Sequence, residues 1–361
     1  MNNKLKFGIL GCGFWARYQL PAWLELEGVV PVALYNRTIG KAEALARQYN
    51  ISHCYNDAEQ LFKNEDLDFV DIITDVDTHA PFVEMAAAYG VPVICQKPIA
   101  PSLEIARSMV NTCAKNNIPF YIHENFRWQA PLRRLKELLE SMVIGKPFKA
   151  NVRFCNSFPV FQNQPFLASL DHFILTDVGS HVLDICRFLF GEASSLYCQA
   201  ATINAGIRGE DVASVSLKME SGLHCYAEMS FASILENEAF PQTFVSVEGI
   251  SGSIELTRDY EIRITTREGT LREVAAPVFY DWMDPAYAVV HSSIVDCNRN
   301  ILQALLGGPQ AETTGTDNYE TAKLVWASYA SIASNEVIDM KKFGDTYALN
   351  ALSTSGISTA L

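Results

Sequence analysis

The feature that most constrains this chain is a pair of glycines set between two opposite periodicities. "LKFGIL" is an apolar run of strand length, "GCG" follows at once, and "FWARYQLPAWLEL" then starts a helix. A strand that turns into a helix over Gly11 and Gly13 reads as the entry to a dinucleotide-binding βαβ unit. Gly11 permits the sharp turn. Gly13 has no side chain, so a pyrophosphate can approach the backbone. Ala16 stands in the third glycine's place and keeps the helix close to the strand. The helix N-terminus offers N–H groups and partial positive charge to phosphates. Phe14 and Trp15 complete the candidate cofactor loop. The competing reading is a tight turn without ligand, and the strand and helix on either side favour the cradle. Pro21 must perturb the helix or lie near its beginning.

The periodicity around the loop sets the fold class. Up to about Glu124, strand-like runs ("VVPVALYN", "DFVDIIT", "VPVIC", "PFYIHENF") alternate with helix-like ones ("IGKAEALARQYN", "APFVEMAAAYG", "SLEIARSMVNTCAKNN"). Alternation of this kind implies a doubly wound parallel sheet with right-handed crossovers, the Rossmann arrangement. After Asn125 the pattern changes. An amphipathic helix "PLRRLKELLESMVIG", a strand "FKANVRFCN" and a helix "DVGSHVLDICRFLFG" precede a mainly β stretch from Ser194 to about Thr266. Consecutive strands without helices imply an antiparallel or mixed sheet. Two helices follow. The expected division is a Rossmann domain over 1–125, an α+β domain with an open, mostly antiparallel sheet over 126–345, and a polar tail over 346–361.

Composition narrows the partners. Lys and Arg total 28 against 41 Asp and Glu, a formal net charge of -13. Such an acidic chain is a poor candidate for nucleic acid or an anionic membrane. No apolar stretch of about 20 residues is present, and the N-terminus lacks a signal peptide's apolar core, so a cytoplasmic protein is expected. The 9 cysteines include no CxxC pair and sit mostly among apolar residues, which reads as buried free thiols rather than disulfides or zinc ligands.

The second strand should end in an acid for the adenosine ribose. Here "LYNRT" places Asn36 there, followed by Arg37 and Thr38. A carboxylate would repel a 2′-phosphate, whereas a neutral Asn beside an Arg accepts one, so NADP is favoured over NAD. The other reading has Asn36 on the diol of NAD and Arg37 merely exposed.

Four segments carry candidate chemistry. In "CQKPIA", Lys97 follows an apolar strand at the carboxyl end of the sheet, where it could stabilise a developing alkoxide. Pro98 restricts it to extended geometry. In "TDVGSHVLD", Asp177, His181 and Asp184 fall at i, i+4 and i+7, one face of a helix, and a His beside a carboxylate suits a general base. One His is thin for zinc, and no metal is expected. In "HENFRWQAP", Asn125, Arg127 and Trp128 could line a substrate cleft, binding hydroxyls or stacking on a sugar. In "TDVDTHAP", Thr74 and His79 occupy the loop after the third strand, with His79 read as positioning or capping rather than catalytic. Each also has a bland reading as a solvated lysine, a capping acid or a packed aromatic.

Together, "GCGFWA", "THAP…QKP", "NFRW" and "DVGSHVLD" resemble the pattern of the Gfo/Idh/MocA family over nearly the whole chain. The resemblance implies an NAD(P)-dependent oxidoreductase that moves a hydride between a sugar or polyol hydroxyl, for instance the anomeric C1 of an aldose, and nicotinamide C4. It implies His181 as acid/base, Lys97 on the reacting oxygen and the nicotinamide ribose, and Asp177 as positioner. It also implies a cis Lys97–Pro98 bond and a homodimer or homotetramer. Gln96, counted with the cofactor residues, departs from the family's usual Glu. The alternatives are a non-catalytic NAD(P)-binding sensor of the same fold, or a reductase of diketone or dihydrodiol-type substrates.

Overall fold

The structure is a computed structural model, and it describes residues 4–343. The polar tail at 346–361 lies outside the described residues. Two compact units emerge, one from the described parts of Met1–Asn125 with Phe279–Glu320, the other from Phe126–Val278 with Thr321–Leu361.

In the first unit, strands β1 (Leu5–Leu10), β2 (Val29–Tyr35), β3 (His53–Tyr55), β4 (Phe69–Ile72), β5 (Val93–Gln96) and β6 (Phe120–His123) form one sheet in the order β3-β2-β1-β4-β5-β6. Every pairing is parallel. All four residues of β4, β5 and β6 are buried, as a sheet covered on both faces requires. Helices α1 (Ala16–Leu24), α2 (Ile39–Tyr49), α3 (Ala58–Asn64), α4 (His79–Ala88) and α5 (Leu103–Lys115) make the crossovers. The strand order reverses between β1 and β4, which is where ligands of such sheets bind. Sequence reading misses β3 and α3. Three residues are too few to display a period of two. Pro21 sits inside α1, where it cannot donate to the Arg17 carbonyl, and its own carbonyl accepts the Glu25 N–H at 3.2 Å.

The second unit is built on a nine-stranded sheet. Its strands are β7 (Pro147–Cys155), β8 (Ala193–Ala201), β9 (Val212–Met219), β10 (His224–Ser230), β11 (Phe244–Gly249), β12 (Gly252–Leu256), β13 (Glu261–Thr266), β14 (Gly269–Val274) and β15 (Ile338–Asp339). They lie in the order β14-β13-β12-β11-β7-β10-β9-β8-β15. Only β7 and β10 pair in parallel, so the sheet is mixed and mostly antiparallel. Alternate residues of β9 are buried, the signature of a sheet with one covered and one open face. The helices are α6 (Ala130–Glu140), α7 (Val160–Asn163), α8 (Ile174–Asp177) and α9 (Gly179–Phe190).

Two long helices follow, α10 (Ala288–Leu305) and α11 (Gly315–Ser334). The segment 279–320 falls in the first unit, although the sequence pattern places it within 126–345. Packing explains the difference. The Tyr18 ring of α1 stacks on His291 of α10 at 4.1 Å, and Ala22 is buried with Ile294 and Val295. The Ile122 N–H of β6 bonds to the Thr313 carbonyl at 2.8 Å. Sequence order does not reveal such a return. All nine thiols are free, and all but that of Cys54 are buried.

Candidate active site

The glycine loop needs its glycines for two different reasons. Gly11 has φ +106°, and a Cβ there would lie 2.5 Å from the Ile73 carbonyl oxygen. Its N–H is fixed by the Tyr35 carbonyl at 2.8 Å. A Cβ on Gly13 would meet nothing within 4 Å, so the space in front of that backbone is open. Open space beside a helix N-terminus is what a dinucleotide pyrophosphate requires. Ala16 is fully buried against the sheet, as expected of the third position.

The neighbouring residues divide. Asn36 accepts the Cys12 N–H on Oδ1 at 3.0 Å and donates from Nδ2 to the Thr38 carbonyl at 3.0 Å. It therefore latches the loop to the end of β2. Arg37 and Thr38 are exposed. Phe14 is exposed, whereas Trp15 packs with Tyr18 against the Ala22–Ile294–Val295 cluster. The Trp15 side chain thus serves helix packing.

His79 is a strut. Its Nδ1 lies 3.2 and 3.3 Å from the Pro98 and Ile99 carbonyls, and its Nε2 lies 3.2 Å from the Thr74 carbonyl. It ties the loop after β4 to the loop after β5. Burial holds its pKa below the usual histidine value. Thr74 accepts a hydrogen bond from Thr78 Oγ1 at 2.7 Å. The Lys97–Pro98 peptide is cis. Behind it, Gln96 is buried and donates from Nε2 to Gln19 Oε1. Gln19 Nε2 in turn donates to both carboxylate oxygens of Asp71, at 2.8 and 2.7 Å, and Trp23 Nε1 adds a bond of 2.8 Å. Desolvation pushes the Asp71 carboxyl up to about 7.

In the second unit, Asp177 and His181 do not share one uninterrupted helix. Asp177 ends α8 and His181 lies in the first turn of α9, with Val178 between the helices. The imidazole of His181 is stacked on Phe126 at 3.7 Å and almost parallel to it. Asp184, expected on the face of His181, pairs elsewhere. Arg127 donates to it from Nε at 2.7 Å and from Nη2 at 2.5 Å, and Thr321 Oγ1 adds a bond of 3.0 Å.

This pair changes the reading of "NFRW". The guanidinium of Arg127 is committed to a fully buried carboxylate, which anchors Phe126 beneath His181. In the first unit, Asn125 Nδ2 is held by the Val290 carbonyl at 3.2 Å and Ser293 Oγ at 2.8 Å. Trp128 is buried under the guanidinium of Arg133, 4.2 Å away. Each of the three side chains thus has a partner within its own unit.

Sequence reasoning misses Glu210. Its carboxylate accepts the N–H groups of Phe173 and Leu175 at 3.3 and 3.1 Å and the Tyr329 hydroxyl at 2.6 Å. It sets the turn that delivers Asp177, and "RGEDVAS" carries no signal of that role. Gln19 and Asp71 escape it as well, although an acid inside "DFVDIIT" is a visible oddity.

A parallel sheet in the order 3-2-1-4-5-6 with a glycine cradle at its switch point defines a dinucleotide-binding protein. Residues 5–123 match the family model described as "Oxidoreductase family, NAD-binding Rossmann fold", and residues 132–272 match the GFO/IDH/MocA C-terminal domain. The chain belongs to the Gfo/Idh/MocA family of dehydrogenases. It is 39% identical over 94% of its length, and 90% of the relative's, to D-apiose dehydrogenase of Paraburkholderia graminis. It is 38% identical to D-apiose dehydrogenase of Rhizobium rhizogenes, covering 94% of this chain and 98% of that one. Among solved structures, an oxidoreductase from Agrobacterium radiobacter in complex with NAD+, L-tartaric acid and magnesium superimposes with a TM-score of 0.92 at 38% identity. That match covers 94% of this chain and 99% of the other.

Proposed function

We propose that this dehydrogenase oxidises the anomeric hydroxyl of an aldose, with D-apiose the first candidate, to a lactone. The observation that carries this reading is the similarity over 94% of the chain to two D-apiose dehydrogenases. The first unit supports it. The cradle at the end of β1 and Gln96–Lys97 at the end of β5 lie at the carboxyl edge of one parallel sheet.

Bound nicotinamide supplies the hydride acceptor, its C4. The chain's own residues do the rest. His181 takes the hydroxyl proton as the C1–H bond breaks and the C=O bond forms. The Lys97 ammonium stabilises the negative charge that develops on the same oxygen. Asp177 positions the reacting group. Phe126 fixes the plane of the His181 ring, and the Arg127–Asp184 pair fixes Phe126. In the reverse direction His181 returns the proton.

For the cofactor we infer a preference for NADP. Asn36 is neutral and turned inward, and the exposed Arg37 is the cation that would meet a 2′-phosphate. The second reading is NAD, favoured by the NAD+ held in the 38%-identical oxidoreductase.

Replacing the proton acceptor or the oxyanion stabiliser tests the assignment. Lys97→Ala and His181→Ala should each lower kcat on D-apiose by about a hundredfold or more while the chain still binds reduced dinucleotide. Normal turnover by both variants would refute these roles.

A further inference from the structure

The chain Asp71–Gln19–Gln96 has a direction, and the direction decides what Gln96 can offer. An amide side chain has a donor end and an acceptor end of nearly equal size, so packing alone does not choose between them. An ionised carboxylate only accepts. Asp71, whose neighbours along β4 are all buried, therefore fixes Gln19 with Nε2 toward itself. Gln19 Oε1 then faces Gln96 and takes the N–H of Gln96 Nε2. With its nitrogen committed inward, Gln96 has its carbonyl oxygen left for a ligand. It stands at the last position of β5, directly before Lys97, on the same sheet edge as the glycine cradle.

We propose that Asp71 and Gln19 are positioning residues that hold Gln96 as a hydrogen-bond acceptor for a donor group at the nicotinamide end of the bound dinucleotide. The inference rests on the dinucleotide-dependent reading of the chain and needs no particular sugar. The partners of Asp71 are neutral N–H groups of Gln19 and Trp23 on α1. Facing it from β5 is Cys95, a thiol that burial keeps protonated. The cost of burying a charge among such partners places the carboxyl near 7, so protonation is reachable. A protonated Asp71 donates to Gln19 Oε1, both amides turn over, and Gln96 presents a donor in place of the acceptor. Affinity for the dinucleotide thus falls as pH falls.

Moving the charge along the chain provides the test. Full-length protein is titrated separately with NADH and NADPH, following fluorescence, and each variant is melted to verify folding. Gln96→Glu cannot donate to Gln19, and Asp71→Asn permits the reversed chain. Each should weaken binding about tenfold, the scale of one hydrogen bond to a charged group. The double variant Asp71→Asn/Gln96→Glu restores a single carboxylate and one continuous chain. The carboxylate, now carried by β5, accepts from Gln19, and Gln19 accepts from the amide introduced on β4. This variant should bind within about threefold of wild type. Wild-type affinity should drop from about pH 8 to about pH 6, and that of Asp71→Asn should stay flat. If the double variant does not fold, Gln96→Met takes its place: it keeps the size, removes both polar ends, and should lose both affinity and pH dependence. Additive losses in the double variant, unchanged binding in both single variants, or a flat wild-type profile would overturn the proposal. Binding is read without turnover, so failure to oxidise any sugar bears on the proposed function alone.

Discussion

At the residue scale, the proposed preference for NADP turns on Arg37, which is exposed beside an Asn36 hydrogen-bonded to the loop backbone. Arg37→Ala should raise the KM for NADP about tenfold and leave that for NAD within about twofold, since one charged hydrogen bond is lost in the first case only. Steady-state kinetics with both cofactors reads the difference, and equal changes would count against the assignment. The glycines beside it are legible in the sequence because each does one thing that a side chain prevents. Gly11 makes a left-handed turn, and Gly13 leaves open space. His79 stands out in the sequence as a polar group in a loop, and its ring lies against three backbone carbonyls. Asn125, Arg127 and Trp128 are visible as a motif, and the structure adds the partners each has within its unit. A sequence shows polar and aromatic types suited to sugar binding, but not that each already has a partner inside the fold.

At the element scale, "TDVGSHVLD" shows what spacing can and cannot say. The i, i+4, i+7 pattern is real, yet α8 and α9 meet at Val178 and Asp184 pairs with Arg127. The partner that claims Asp184 lies 57 positions earlier, beyond any local pattern. The consequence is energetic. Both charges are almost fully buried, and removing one leaves the other without compensation. Arg127→Met should destabilise the fold by about 3 to 5 kcal/mol in urea denaturation, and Asp184→Leu by a similar amount. The double variant Arg127→Met/Asp184→Leu should cost less than either single change, because no buried charge remains. A loss under about 1 kcal/mol in both singles would mean that the buried pair does not leave an uncompensated charge as described.

At the scale of the whole molecule, the alternation of apolar strands with amphipathic helices is enough to read the parallel sheet, because each crossover is local in sequence. The mixed sheet of the second unit is legible as to class but not as to order. Its β7–β10 pairing joins strands far apart in the chain, Lys149 lying opposite His224. The return of 279–320 to the first unit is not legible, since α10 is amphipathic toward α1 without naming it. No helix among the described residues is long and apolar enough to cross a membrane. Function is legible in class from the family resemblance that the glycine loop, "QKP" and "DVGSHVLD" carry, and the relatives sharpen it to a sugar. The most direct measurement is the initial rate of dinucleotide reduction by the full chain with D-apiose, other aldoses, inositols and sugar acids, each with NAD and with NADP. Reduction with an aldose, a lactone product and a higher kcat/KM with NADP are expected. Tight dinucleotide binding with no reduction by any member of that panel would contradict the proposed function.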